Sequence, residues 1–93
     1  MYEIKISRAA KKDIRELPRQ VQKELAKYLD TLALNPNAGE RLKGVIKGFW
    51  KHAFVVRSTN YRIVYQISSR EAIVLIIMVG SRENFYKRLS RRV

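Results

Sequence analysis

The eight apolar residues from Ala72 to Val79 constrain this chain more than any other stretch. A run this short and β-branched, with no polar side, reads as a central strand buried on both faces. Just before it, Tyr61, Ile63, Tyr65 and Ile67 alternate with Arg62, Val64 and Gln66, the period of a strand with two unlike faces. Ser68-Ser69-Arg70-Glu71 breaks the two runs apart, so together they predict a β-hairpin in the middle of a sheet. After the second run come Gly80-Ser81-Arg82-Glu83-Asn84-Phe85-Tyr86-Lys87, which place an arginine and a tyrosine four residues apart on a turn or helix start.

The rest of the chain supplies layers for that hairpin. Tyr2, Ile4 and Ile6 alternate with Glu3, Lys5 and Ser7 as a first strand, and Ser7 is a good N-cap for the helix expected from Arg8 to Leu17. Pro18 ends that helix and suits the first turn of another. Val21, Leu25, Tyr28, Leu29 and Leu32 then form one apolar stripe, which Asn35-Pro36-Asn37 terminates. Residues 41–48 read as a basic connector that Leu42 and Val45 could anchor. Phe49 to Arg57 reads as a strand, Ser58-Thr59-Asn60 as its turn, and Asn84 to Arg92 as a short basic helix. The order is β-α-α-β-β-β(-α), an α+β fold with a two-helix hairpin on one face of a small, mainly antiparallel four-stranded sheet. Residues 1–93 are expected to form a single domain.

Charge narrows the partners. The chain carries +12, and residues 41–93 hold twelve basic side chains against Glu71 and Glu83 alone. Such an excess attracts a polyanion, although a solvated basic surface has the same composition. With no cysteine and only His52, disulfides, thiolate metal sites and two-histidine chemistry are excluded. No basic-then-apolar leader follows Met1, and eight apolar residues fall far short of the roughly 20 in a membrane helix. A cytoplasmic protein without metal or cofactor is expected.

If the helices cover the face of Tyr61, Ile63, Tyr65 and Ile67, the opposite face carries Arg62 beside Lys51, Ala53, Val55 and Arg57. Arg82 and Tyr86, just past the neighbouring strand, could close over Arg62. Guanidinium groups match phosphate geometry and a phenol can stack or exchange a proton. Each residue also has a plain structural reading. Arg62 and Arg82 could be solvated charges, and Tyr86 could pack a terminal helix with Phe85. Lys51 and Arg57 read as phosphate grips, with Lys43 and Lys47 as further phosphate contacts and Lys87, Arg88, Arg91 and Arg92 as either such contacts or a basic tail. His52, Trp50 and Tyr65 read as packing.

Tyr61-Arg62-Ile63-Val64-Tyr65-Gln66, the trailing apolar strand, Gly80-Ser81-Arg82 and Tyr86 together resemble the RelE/ParE superfamily of toxins, and its RelE branch in particular. Chain length, the helical hairpin and the Leu42-Lys43-Gly44 connector fit as well. The resemblance implies a type II toxin that cleaves mRNA in the ribosomal A site, and a neighbouring antitoxin, acidic and partly disordered, that wraps it in a hetero-oligomer. It implies that Arg62 contacts the scissile phosphate, that Arg82 stabilises or protonates the leaving 5′ oxygen, and that Tyr86 stacks on a base and orients the attacking 2′-hydroxyl. Two family lysines are replaced by Ala53 and Val55, leaving Lys51 as the nearest substitute and the general base open. A histidine common before the arginine is Ser81 here. The alternatives are a ParE-like toxin that inhibits DNA gyrase without cutting RNA, and an inactive RNA-binding module.

Overall fold

The computed structural model of the chain describes residues 1–44, 47–83 and 85–93. Strand β1 (Glu3–Ile6) leads into α1 (Arg8–Arg15) and α2 (Arg19–Leu34). A 3-10 turn at Pro36–Ala38 precedes β2 (Glu40–Arg41), then β3 (Trp50–Val56), β4 (Thr59–Ser68), β5 (Ile73–Ser81) and α3 (Phe85–Arg92) follow. The sheet order is β1-β5-β4-β3-β2, with β1 parallel to β5 and the other pairs antiparallel. Five strands stand where four were expected. The additional one, β2, has two residues and therefore no periodicity to read.

The helix boundaries follow local chemistry. Ser7 caps α1, its hydroxyl accepting from the Ala10 N–H at 3.1 Å. Pro18 is the N-cap of α2, and the Gln22 side chain donates to the Ile14 and Leu17 carbonyls, which ties the helical corner. The α2 stripe packs as expected: Val21, Leu25 and Leu32 are buried with Ile63, Tyr65, Val74 and Ile76, while Tyr28 and Leu29 pack at the margin.

Two turns differ from expectation. The β3–β4 hairpin closes on Arg57 and Ser58, both at positive φ (48° and 70°), so β3 ends at Val56 and Thr59 and Asn60 already belong to β4. Positive φ at both loop residues matches the right-handed twist of the flanking strands. It costs each side chain about 1–2 kcal/mol, which is why Asn-Gly would have been the readable signal. Ala72 lies in the β4–β5 turn at φ 55° instead of starting the strand.

The central strands β4 and β5 are buried on both faces. On the far side from α1 and α2, Phe85 and Leu89 of α3 cover Val64, Met78 and Leu42 as a second, smaller core. Val45, the other expected anchor of the connector, lies outside the described residues, as does Asn84, the expected start of the last helix.

Tyr65 fastens the β2 segment to the sheet. Fully buried, it donates from its hydroxyl to the Pro36 carbonyl at 2.7 Å and accepts from the Gly39 N–H at 3.1 Å. Gly39 has to be glycine, because a Cβ there would lie 2.4 Å from the Lys51 carbonyl oxygen and 2.5 Å from the Tyr65 hydroxyl. Tyr65→Phe strands both backbone groups, so urea denaturation should show a loss of about 1–3 kcal/mol with unchanged far-UV circular dichroism.

Candidate active site on the outer sheet face

The second face positions the cationic cluster. Arg62 stands opposite Ala53 of β3 and Gly80 of β5, while Lys51 stands opposite Val64, beneath α3. From there Lys51 Nζ donates to the Tyr86 hydroxyl at 3.1 Å and Arg62 Nη1 donates to the same oxygen at 3.4 Å. The Arg62 guanidinium lies 5.3 Å from the Phe85 ring centre and 5.8 Å from that of Tyr86. Such cation–π contacts hold the half-buried side chain in place before any ligand arrives. Beside it opens a hollow of about 420 Å³ lined by Ala38, Gly39, Glu40, Lys51, His52, Ala53 and Arg62.

Tyr86 is the unusual group. It is 48% exposed, and two cations aim at its oxygen. The Lys51 hydrogen bond holds its pKa below the ordinary tyrosine value; the charges of Lys51 and Arg62 and the Arg62 hydrogen bond act in the same direction, against a smaller effect of burial. Tyr65 moves the opposite way, because burial opposes the phenolate more than the Gly39 N–H favours it. A phenol flanked by two donors can release its proton and later take one up.

The other candidate residues are spread around this cluster. Arg82 begins the turn into α3: its N–H donates to the Asn60 carbonyl at 3.0 Å and its carbonyl accepts from the Phe85 N–H at 3.2 Å. That register brings it to the end of the β4–β5 pair that carries Arg62. Its exposed side chain makes no hydrogen bond among the described residues and lies outside the hollow's lining. Lys43 and Lys47 line a separate hollow with Phe49 and Trp50. Arg57 sits at the hairpin tip, five positions from Arg62 and away from the hollow. Lys87 is exposed on α3, whereas the Arg88 guanidinium is tucked against Gly80, where a Cβ would come within 2.8 Å of it.

His52 packs as expected, its ring 5.4 Å from that of Tyr28. Trp50 stacks on Tyr65 with centroids 6.2 Å apart. Sequence reasoning missed Glu40, whose carboxylate lies 4.0 Å from Lys51 Nζ across the β2–β3 pair. Its only signal was a carboxylate following the Gly39 turn.

Because the donors act on the phenolate, removing one must move the titration of Tyr86. In near-ultraviolet titrations of the wild type against Tyr86→Phe, Tyr86 should ionise below the ordinary value of about 10. Lys51→Met should move it upward, and an unmoved curve would refute the pairing.

Residues 4–90 match the family described as the ParE-like toxin of type II bacterial toxin-antitoxin systems. A protein of Escherichia coli named as a RelE-like toxin is 31% identical over 83 residues, 88% of this chain and 84% of that protein. The mRNA interferase toxin RelE of Escherichia coli K12 is 30% identical over the same shares of the two chains. In the crystal structure of the intact E. coli RelBE toxin–antitoxin complex, a chain 28% identical superposes with a TM-score of 0.74, covering 89% of this chain and 99% of that one. This chain, with its helical hairpin, mixed sheet and outer-face cations, belongs to the RelE/ParE superfamily of type II toxin–antitoxin toxins.

Proposed function

We propose that this toxin is a ribosome-dependent mRNA endonuclease, and the observation that carries the proposal is the convergence of Lys51 and Arg62 on the Tyr86 hydroxyl. In the proposed reaction the Tyr86 phenolate takes the proton of a ribose 2′-hydroxyl in the A-site codon. The freed oxygen attacks the adjacent phosphorus, the bond to the 5′ oxygen breaks, and a 2′,3′-cyclic phosphate remains. DNA lacks this nucleophile and is not a substrate.

Charge builds up on the phosphoryl oxygens during attack, so preformed cations there lower the barrier more than they favour the ground state. Arg62 fills this role, its geometry fixed by Phe85 and Tyr86. Lys51 takes the place of the strand lysines lost at Ala53 and Val55, holding Tyr86 ionisable instead of acting as the base itself. Arg82 stabilises the departing 5′ oxygen electrostatically, since a guanidinium does not give up its proton near neutrality; water supplies the proton. Lys43, Lys47, Arg57, Lys87 and Arg88 contribute long-range attraction to ribosomal and messenger RNA.

The same reading includes a cognate antitoxin, acidic against the excess of positive charge, assembled with the toxin as in the E. coli complex. It places the action in the cytoplasm, where translation occurs. Relatives named as mRNA interferases favour cleavage over the gyrase-directed alternative.

In a purified translation system, 5′-end mapping should find cuts within the A-site codon. Arg62→Ala should slow them about 10²–10³-fold without unfolding the protein. If the phenolate is the base, the rate rises with pH up to the lowered Tyr86 pKa, and Lys51→Met moves that rise to higher pH. Intact mRNA together with trapped gyrase–DNA breaks would replace this reading with the gyrase one.

A further inference from the structure

The mechanism leaves one buried-edge cluster unused. Strand β1 pairs with β5 only from Ile73 to Ile76, so beyond that point the outer edge of β5 lacks a neighbouring strand. Three side chains cover it instead, the Ser7 hydroxyl donating to the Ile77 carbonyl at 3.5 Å. Asp13 of α1 accepts from the Val79 N–H at 3.1 Å, and Arg92 of α3 donates to the Ile77 carbonyl at 3.2 Å. The two also join each other in a two-pronged pair, Asp13 Oδ2 with Arg92 Nη1 and Asp13 Oδ1 with Arg92 Nη2 at 3.2 Å. The Asp13 side chain is 10% exposed and that of Arg92 is 27% exposed, so solvent screens this pair less than an ordinary surface pair.

The position of the pair on α3 gives it a use. At about 100° per residue, Tyr86 and Arg92 lie about 60° to either side of Leu89, which faces the second core. Phe85 and Leu89 press the helix onto the sheet, but an apolar contact is non-directional and leaves roll about the helix axis poorly fixed. A two-pronged guanidinium–carboxylate pair is directional. An isolated helix of eight residues does not hold itself, so what fixes its orientation must come from outside it.

We propose that Asp13 and Arg92 are positioning residues, a clamp between α1 and α3 that fixes the roll of α3 and so holds the Tyr86 hydroxyl against Lys51 and Arg62. This deepens the proposed nuclease reading, in which Tyr86 touches the ribose. The clamp itself touches no substrate.

The test uses the full chain and reads the position of Tyr86 apart from catalysis. The difference between each protein and its Tyr86→Phe counterpart isolates one phenol from the five tyrosines in near-ultraviolet titrations. In Arg92→Ala, Tyr86 should titrate upward toward the ordinary value of about 10, with circular dichroism unchanged. Arg92→Lys, which keeps the charge, should recover part of the shift. In translation reactions kcat should fall about tenfold with KM held, as expected for a group displaced from the transition state. A folded Arg92→Ala protein whose Tyr86 titrates as in the wild type overturns the clamp. Should that variant not fold, Asp13→Asn decides, since it retains one acceptor oxygen for the Val79 N–H but removes the charge and the second acceptor for Arg92; an unmoved titration there overturns the clamp equally. A wild type that never cuts mRNA would sink the nuclease reading and leave the titration result standing.

Discussion

One extra residue in β5 sets the geometry of the whole outer face. Val64 pairs with Met78 and Tyr65 with Ile76, so Ile77 is left over as a bulge in the central hairpin. Before it, Val74 and Ile76 point toward α1 and α2. After it, Val79 points there, while Met78 and Gly80 take the other side. Without the bulge, alternation from Ile76 would carry Met78 and Gly80 to the helical core and Val79 to the outside. With it, Met78 becomes the floor on which α3 docks, and Gly80 lies beside Arg62 with no side chain in the way of the last helix.

Two tyrosines, one on β4 and one on α3, show how the setting divides one side chain between structure and chemistry. Tyr65 is fully buried, and both hydrogen bonds of its hydroxyl go to neutral backbone groups, so it stays protonated and acts as a rivet. Tyr86 is half-exposed, and both of its partners are cations that favour the phenolate. Burial and charge pull a phenol in opposite directions, and here each tyrosine is dominated by one of them. The rivet also serves the candidate site. By holding Gly39 and the 3-10 turn against β3, Tyr65 places Glu40 opposite Lys51 and completes the hollow beside Arg62.

How much of this could be read from the residues depends on whether a feature repeats along the chain. The Val21–Leu32 stripe, the alternation of Tyr61 to Ile67 and the apolar run of β5 recur several times, and the helices and central strands follow from them. Arg62, Lys51 and Tyr86 were legible as candidates because alternation and family likeness put them on one face. The meeting of Lys51 with Tyr86 was not, since it depends on how α3 crosses the sheet. Short or singular events left no pattern: two residues of β2, one bulged isoleucine, a hairpin loop of Arg57 and Ser58 with no glycine. The Asp13–Arg92 pair spans 79 positions, and nothing local to either residue marks it.

Ala53 and Val55, where the family resemblance implies lysines, look at first like a loss of the proposed chemistry, but the register argues otherwise. Ala53 stands directly opposite Arg62, so a small side chain there leaves open the hollow that a lysine would fill. Lys51 lies two positions along the same face, about 7 Å away, opposite Val64 and under α3. A charge moved that distance would not stand beside Arg62, but it can act through a side chain that reaches both residues, and Tyr86 is that side chain. In the proposed reaction the work of this cation is therefore control of a phenol. That makes the seating of α3, and not the identity of any one lysine, the feature on which the site depends.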